Sequence, residues 1–204
     1  MKHTPRIHLA LLAALAPLAL LADPIDWSAY KKSFDITFPG YSGSTTLTDF
    51  PVLVRLSAAR NAFQYDKCKV SNGGDLRFSD AEGNLLSSEV DTWNEDGESL
   101  VWVKVPSLNA STVITAYYGC ATPVAMTPSD VWSNGYLGVW HLNEASSPLA
   151  DSTGGGKNFT RSSSHVNMVS LGGAGVVGNA PEFAMLENQD GTHDGYLKLS
   201  DSNG

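Results

Sequence analysis

The sequence predicts an all-β protein, and three observations support this fold class. Glycine is frequent, with 19 residues among 204, and glycine-containing turn signals at 72–74 and 96–98 separate short apolar runs. In one of those runs Phe34, Ile36 and Phe38 alternate with polar residues, which is the period of a strand with one buried face. No long stretch in the body of the chain has helical periodicity. We therefore expect many short strands joined by turns.

Residues 1–22 are typical of a secretory signal peptide. Lys2 and Arg6 precede an uncharged apolar run over 7–21. That run contains Pro17 and is shorter than the roughly 20 apolar residues that a membrane span needs. We expect cleavage near residue 22 and export of the remainder to the periplasm or the extracellular space, with no membrane span apart from the signal peptide.

Six strand candidates lie between residues 24 and 120. The first, 34–38, is predicted to pair with the next apolar run, 52–56. The other four are 75–79, 85–93, 99–105 and 112–118. Six strands within one segment predict a β-sandwich, so 24–120 is assigned to a first, jelly-roll-like domain.

The pattern breaks after Cys120, where two Thr-Pro pairs fall within 121–134. We interpret 121–134 as a linker, because periodicity resumes over 135–142. Residues 135–204 then carry strand candidates at 181–185 and 196–199, but they are few for a complete second sandwich. The sequence therefore predicts the beginning of a second β domain.

Cys68 and Cys120 are the two cysteines of the chain. An even pair in an exported protein is expected to be bridged, so we predict one disulfide between them. It would close a loop of roughly 50 residues and restrict the unfolded chain by about 4 kcal/mol in the loop-entropy model.

Several motifs together resemble a bacterial family known as the domain of unknown function 2341. The motifs are FPVLVRL at 50–56, GDLRFSD at 74–80, EVDTW at 89–93, VWVKVP at 101–106 and AYYG at 116–119. The tail, with VWHLNE at 139–144 and DSTG at 151–154, resembles the opening of a laminin G-like, concanavalin A-like jelly roll.

The resemblance implies an exported protein without an established activity. In some bacterial proteins the first family is similar to a sensor-like head that precedes laminin G-like domains and a proton channel of the MotA/TolQ/ExbB type. Laminin G-like folds commonly bind glycans or proteins and often hold calcium. We predict no cofactor, and a calcium ion is the one alternative that the resemblance brings into consideration.

The binding candidates are Trp102, Trp93, Asp75 and Arg77. Trp102 lies on the strand face opposite Val101, Val103 and Val105, the predicted core face, so its ring is the best candidate to stack on a sugar.

Asp75 and Arg77 share a strand face, and two interpretations of this pair stay open. The first is an ion pair or a hydrogen-bond network that fixes the strand register. The second is a cation site in which Asp75 and Asp80 bind Ca²⁺.

Glu89 and Asp91 also share a face, and two such carboxylates can serve a glycoside hydrolase. The third carboxylate of that pattern is missing, because Trp93 and Asn94 occupy its positions. We therefore interpret Glu89 and Asp91 as a solvated strand face, and His141 as a packed, satisfied histidine. No catalytic residue is predicted.

The charge balance limits the classes of function. With 13 Lys and Arg against 21 Asp and Glu, the formal net charge is −8, which argues against a nucleic-acid partner. The leading hypothesis is an exported, non-catalytic module that contacts a polysaccharide or a cell-surface protein. The alternatives are the N-terminal ectodomain of a longer proton-channel protein of the cell envelope and a degenerate glycoside hydrolase.

Overall fold

The structure is a computed structural model that describes residues 25–161, 169–183 and 197–199. Nearly all of its regular structure is β-strand, so the predicted all-β class is confirmed. The strands are β1 Lys32–Thr37, β2 Leu47–Leu56, β3 Arg77–Ser79, β4 Leu85–Leu86, β5 Ser88–Thr92, β6 Ser99–Leu108, β7 Val113–Tyr118, β8 Phe159–Arg161, β9 Val169–Ala174, β10 Asn179–Phe183 and β11 Leu197–Leu199. The predicted signal peptide lies outside the described residues.

Helical structure in the described part of the chain is short. One α-helix, α1, spans Ala58–Asn61, and the Ser57 hydroxyl caps it by accepting the N–H of Arg60 at 3.0 Å. The 3-10 helices are Trp27–Ala29, Tyr65–Lys67, Ser71–Gly73 and Pro128–Trp132. No helix among the described residues is both long enough and apolar enough to cross a membrane.

Two antiparallel sheets form the sandwich. One has the strand order β1-β7-β3-β4, and the other has the order β2-β6-β5. Val101, Val103 and Val105 of β6 are almost completely buried between the sheets, as the alternation in the sequence predicts. Phe63 and Phe78 are the largest fully buried side chains in this core.

The predicted pairing of the first two strands is wrong. β1 pairs with β7, with Phe34 opposite Ala116, whereas β2 pairs with β6, with Val54 opposite Val101. β1 and β2 are therefore edge strands of different sheets. The segment between them crosses the sandwich instead of making a hairpin, and periodicity alone does not distinguish these two connections.

The single strand predicted at 85–93 is two strands in different sheets. β4 belongs to the sheet of β3, and β5 pairs with β6. The chain changes sheet at Ser87, whose carbonyl accepts the Lys104 N–H at 2.9 Å. Strands that switch sheets in this way form the corners of sandwiches.

The region after residue 134 contains two short antiparallel pairs, β8 with β11 and β9 with β10. β10 and β11 overlap the candidates at 181–185 and 196–199, although residues 184, 185 and 196 lie outside the described residues. No strand forms over 135–142. Val139 instead donates its N–H to Asp151 Oδ1 at 3.1 Å, and its carbonyl accepts the Ser152 N–H at 2.8 Å. The backbone groups of Val139 are therefore hydrogen-bonded to the turn at 151–154 rather than to a neighbouring strand.

Residues 121–134 pack against the sandwich. Val131 and Trp132 of the 3-10 helix Pro128–Trp132 are buried, and the helix contacts β5 and β6. The predicted division of the chain at 121–134 stays a prediction.

Candidate functional site

The outer face of β5 and β6 is covered by residues 128–143, which we call the cover segment. Glu89 and Asp91 are two positions apart on β5, and both carboxylates point outward toward this segment, where they contact His141. Their side chains are only 16% and 4% exposed. The prediction of a solvated strand face is therefore wrong, because the cover segment lies over it.

Both carboxylates accept hydrogen bonds from tryptophans. Trp132 of the cover segment donates its indole N–H to Glu89 Oε2 at 2.5 Å. Trp102 of β6 donates its indole N–H to Asp91 Oδ2 at 2.9 Å. Buried charges need such partners, because an unpaired buried carboxylate is costly.

His141 lies between the two carboxylates. Its Nε2 is 3.2 Å from Glu89 Oε2, and its Nδ1 is 3.3 Å from Asp91 Oδ2. Asn143 adds a further contact by donating its side-chain N–H to the Asp91 carbonyl at 2.9 Å and to the Asp91 carboxylate. His141 is 12% exposed, consistent with the packed histidine expected from the sequence. We call Glu89, Asp91 and His141 the acid–histidine cluster.

Electrostatics favours the charged forms of this cluster. Burial works against a charge on His141, but the hydrogen bond to Glu89 and the negative charges of Asp91 and Glu89 outweigh it and raise the pKa of His141. Burial alone would raise the pKa of Glu89, yet hydrogen bonds from His141 and Trp132 lower it overall. A general acid of a glycosidase needs a raised pKa, so Glu89 is tuned in the opposite direction.

An array of aromatic rings connects the cluster with the surface. Trp102 stacks on His141, with an interplanar angle of 15° and centroids 6.0 Å apart. Trp132 packs against Trp102 at a centroid distance of 5.4 Å and against Tyr136 at 5.4 Å. The array ends at Tyr136, which is 41% exposed.

Residues 133–138, which we call the apex loop, carry this exposed ring on a fixed backbone. Leu137, next to Tyr136, is 82% exposed. Lys157 Nζ donates to the Leu137 carbonyl at 3.0 Å, and Lys104 Nζ donates to Ser133 Oγ at 2.8 Å. The loop therefore presents two apolar side chains to solvent on a supported frame.

The structure gives both predicted tryptophans partners inside the fold. Trp102 is partly buried under His141 and Trp132. Trp93 packs edge-on against Phe63 and Tyr65 at the border of the core. Trp102 is stacked on His141 and Trp93 contacts two aromatic rings edge-on, so both tryptophans take part in packing within the fold.

Asp75 and Arg77 bind the backbone of neighbouring segments. Asp75 is fully buried and accepts four backbone N–H groups, from Lys69, Val70, Gly119 and Cys120. Of the two interpretations that the sequence leaves open for Asp75 and Arg77, the structure therefore shows a hydrogen-bond network.

Arg77 supplies the other half of that network. Its guanidinium donates to the carbonyls of Val124, Gly74 and Leu76. Asp80, the second oxygen donor considered for Ca²⁺, accepts hydrogen bonds from Glu82 N and Asn84 within its own turn. The described residues contain no group of three His, Cys, Asp or Glu side chains suited to a metal.

The two cysteines are free thiols, so the predicted disulfide is absent from the structure. Their chain segments come together, since Lys69 N and Cys120 N both donate to Asp75 Oδ2. The side chains lie in different surroundings, however. Cys68 packs against the core, whereas Cys120 lines a cleft with Tyr30 and Val124.

Sequence reasoning missed Trp132, Asn143 and the apex loop. Trp132 contacts Glu89 across 43 positions and Asn143 contacts Asp91 across 52. No local periodicity reports contacts at such separations. A usable signal was the concentration of aromatic residues over 132–140, at Trp132, Tyr136 and Trp140.

The fold and the cluster define a β-sandwich protein with one sheet face sealed by a following segment. Residues 72–136 match the family model described as a domain of unknown function, DUF2341, in agreement with the resemblance of the first part of the chain. The match extends from the 3-10 helix Ser71–Gly73 through the 3-10 helix Pro128–Trp132 to Tyr136 of the apex loop. No curated protein and no solved structure matches the chain.

Proposed function

We propose that the protein is an exported, non-catalytic binding module that holds a polysaccharide on the apex loop. The observation that carries this proposal is the exposure of Tyr136 and Leu137 on a loop that is held by hydrogen bonds from Lys104 and Lys157. Rigid scaffolds that present mobile or exposed loops are a common arrangement for binding. An aromatic ring held in one orientation binds with little loss of side-chain entropy.

The polar groups near the loop suit a carbohydrate. Ser133 and Lys104 lie at its start, and Lys157 lies under Leu137. Hydroxyl and ammonium groups beside an aromatic ring provide both the stacking and the hydrogen-bonding parts of sugar recognition. A surface protein is the alternative ligand, and Leu137 is the side chain that favours it.

Export is supported by the sequence of residues 1–22, where basic residues precede a short apolar run. For residues 135–204 we propose the beginning of a laminin G-like domain. The motifs at 139–144 and 151–154 support this assignment, as do the antiparallel pairs that follow them.

Retention of the purified full chain on polysaccharides tests the proposed function. The probes are peptidoglycan sacculi in a pull-down and xylan, dextran and mixed-linkage β-glucan in affinity gels. We expect wild type to be retained by at least one probe, and Tyr136→Ala to weaken that retention about tenfold or more. Phe50→Ala is the matched control, because Phe50 is 42% exposed and lies on β2, outside the apex loop.

The possible outcomes test the role of the apex loop and the carbohydrate assignment separately. Retention that Tyr136→Ala and Phe50→Ala reduce equally would contradict the role of the apex loop. Failure of every polysaccharide to retain wild type would contradict the carbohydrate assignment. We expect that the protein releases no sugar from the β-glucan, because a non-catalytic module does not cleave its ligand.

A further inference from the structure

Both ends of the apex loop are fixed to one oxygen atom. Trp132, just before the loop, donates its indole N–H to Glu89 Oε2 at 2.5 Å. His141, three residues after the loop, places Nε2 at 3.2 Å from the same Glu89 Oε2. The loop is thus closed on β5 by a single carboxylate, and any change at His141 acts on one of the two contacts that this carboxylate makes with the ends of the loop.

The contacts of His141 require a charged ring. The oxygens facing its two nitrogens, Glu89 Oε2 and Asp91 Oδ2, belong to carboxylates, which only accept hydrogen bonds when ionised. The Nε2–Glu89 contact is a hydrogen bond and the Nδ1–Asp91 contact is an ion-pair contact, so only the imidazolium brings a positive charge to both carboxylates. The geometry therefore identifies the imidazolium as the form that fits this position.

We propose that the charge on His141 regulates ligand binding: the imidazolium holds the apex loop closed on β5, and loss of its proton releases the loop. This inference rests on the proposed function, because the apex loop is the proposed contact surface. The chemistry is a simple proton transfer from His141 to solvent. It leaves the carboxylates of Glu89 and Asp91, whose oxygens keep their hydrogen bonds from Trp132 and Trp102, without a positive charge between them.

The ionisable groups that act on His141 are three carboxylates. Glu89 and Asp91 come from β5, and Glu144 comes from the segment of His141 itself. The other packed elements, β6 and the 3-10 helix Pro128–Trp132, contact the ring through Trp102 and Trp132, which carry no charge, and their charged residues are Lys104 and Asp130. The negative charges of Asp91, Glu89 and Glu144 favour the imidazolium.

The direction of the pH dependence follows from these charges. The pKa of His141 is raised in the folded protein, so its contribution to loop closure is complete below the ordinary value of about 6.5 and is lost as the pH rises through the raised value. The loop is expected to be closed in a mildly acidic medium and to open in an alkaline one.

Three measurements between pH 5.5 and 9.5 test this inference on the full chain. The first is the NMR titration of the His141 ring, assigned with His141→Gln. The second is the rate of chymotrypsin cleavage after Tyr136, divided by the rate for a free peptide of residues 131–142 to remove the pH dependence of the protease. The third is retention on the polysaccharide that retains wild type.

We expect all three midpoints to coincide above pH 6.5, with normalised cleavage about tenfold faster on the alkaline side. Glu89→Gln removes one negative charge and should shift all three midpoints to lower pH together. Glu82→Gln is the matched control, because Glu82 is exposed and outside the cluster, and it should shift none of them. If His141→Gln does not fold, wild type and Glu89→Gln alone decide the result.

Two failures remain distinguishable. If cleavage follows the His141 titration but no polysaccharide retains the protein at any pH, the proposed function fails and the His141-dependent closure stands. If a polysaccharide is retained with no pH dependence, or if cleavage does not follow the His141 titration, the regulatory inference is overturned and the proposed function stands.

Discussion

Asp75 Oδ2 accepts a 2.7 Å hydrogen bond from the backbone N–H of Gly119, which lies 44 residues further along the chain. The same carboxylate accepts the N–H groups of Lys69, Val70 and Cys120. Asp75 therefore fixes the segment before β3 to the end of β7. A buried carboxylate with four backbone donors is stabilised without a basic side chain, because the donors together balance its charge.

Asp75→Asn should strongly destabilise the fold. The amide keeps one acceptor oxygen but turns an NH₂ group toward backbone donors, so at least one buried N–H loses its partner. We expect a loss of about 2–4 kcal/mol in the free energy of unfolding, measured by urea denaturation. Asp66→Asn is the control, since Asp66 is exposed and pairs only with its neighbour Lys67. Equal effects of both substitutions would contradict the structural role of Asp75.

Gly73 cannot carry a side chain without moving Trp93. Its φ is +69°, and a Cβ atom would lie 2.5 Å from Cζ3 of the Trp93 ring. Gly73→Ala is therefore expected to lower the free energy of unfolding by about 2–4 kcal/mol, through backbone strain and displacement of the ring. Gly40→Ala is the matched control, because a Cβ there meets nothing within 4 Å. A Gly73→Ala protein as stable as the control would show that Trp93 does not pack there.

The parts of the fold that the sequence predicted are those set by local alternation. The buried valine face of β6 follows from residues two apart, and the structure confirms it. The same alternation placed Trp102 on the opposite face correctly. It could not show that the cover segment lies over that face, because Trp132 and His141 reach β5 from 43 and 52 residues away.

Strand pairing and sheet changes were beyond local reasoning for a similar reason. β1 and β2 have equally clear apolar alternation whether they pair with each other or belong to different sheets. The change of sheet at Ser87 divides the segment 85–93, which the sequence predicts as one strand, and only the partners of β4 and β5 reveal it. Long-range pairing decides these features, and a single sequence does not encode it in any simple period.

Acid should weaken the acid–histidine cluster through Glu89. Its pKa is lowered in the folded protein, so its contribution to stability is present above the unfolded value of about 4.5 and is lost as the pH falls through the lowered value. Urea denaturation of wild type and Glu89→Gln should therefore give curves whose difference in stability is largest near pH 6 and shrinks below pH 4. A difference that stays constant over this range would show that Glu89 is not ionised in the cluster.

The thiols of Cys68 and Cys120 should be free but unreactive in the folded protein. Cys120 is buried, and burial raises the pKa of Cys68 to about 12, so little thiolate is present at neutral pH. Iodoacetamide should label the native protein slowly and add two groups after denaturation without a reductant, as intact-mass spectrometry would show. A mass two hydrogens lower, with labelling only after reduction, would mean that the bond predicted from the sequence does form. It would also require a rearrangement, because in the structure Cys68 packs against the core whereas Cys120 lines a cleft with Tyr30 and Val124.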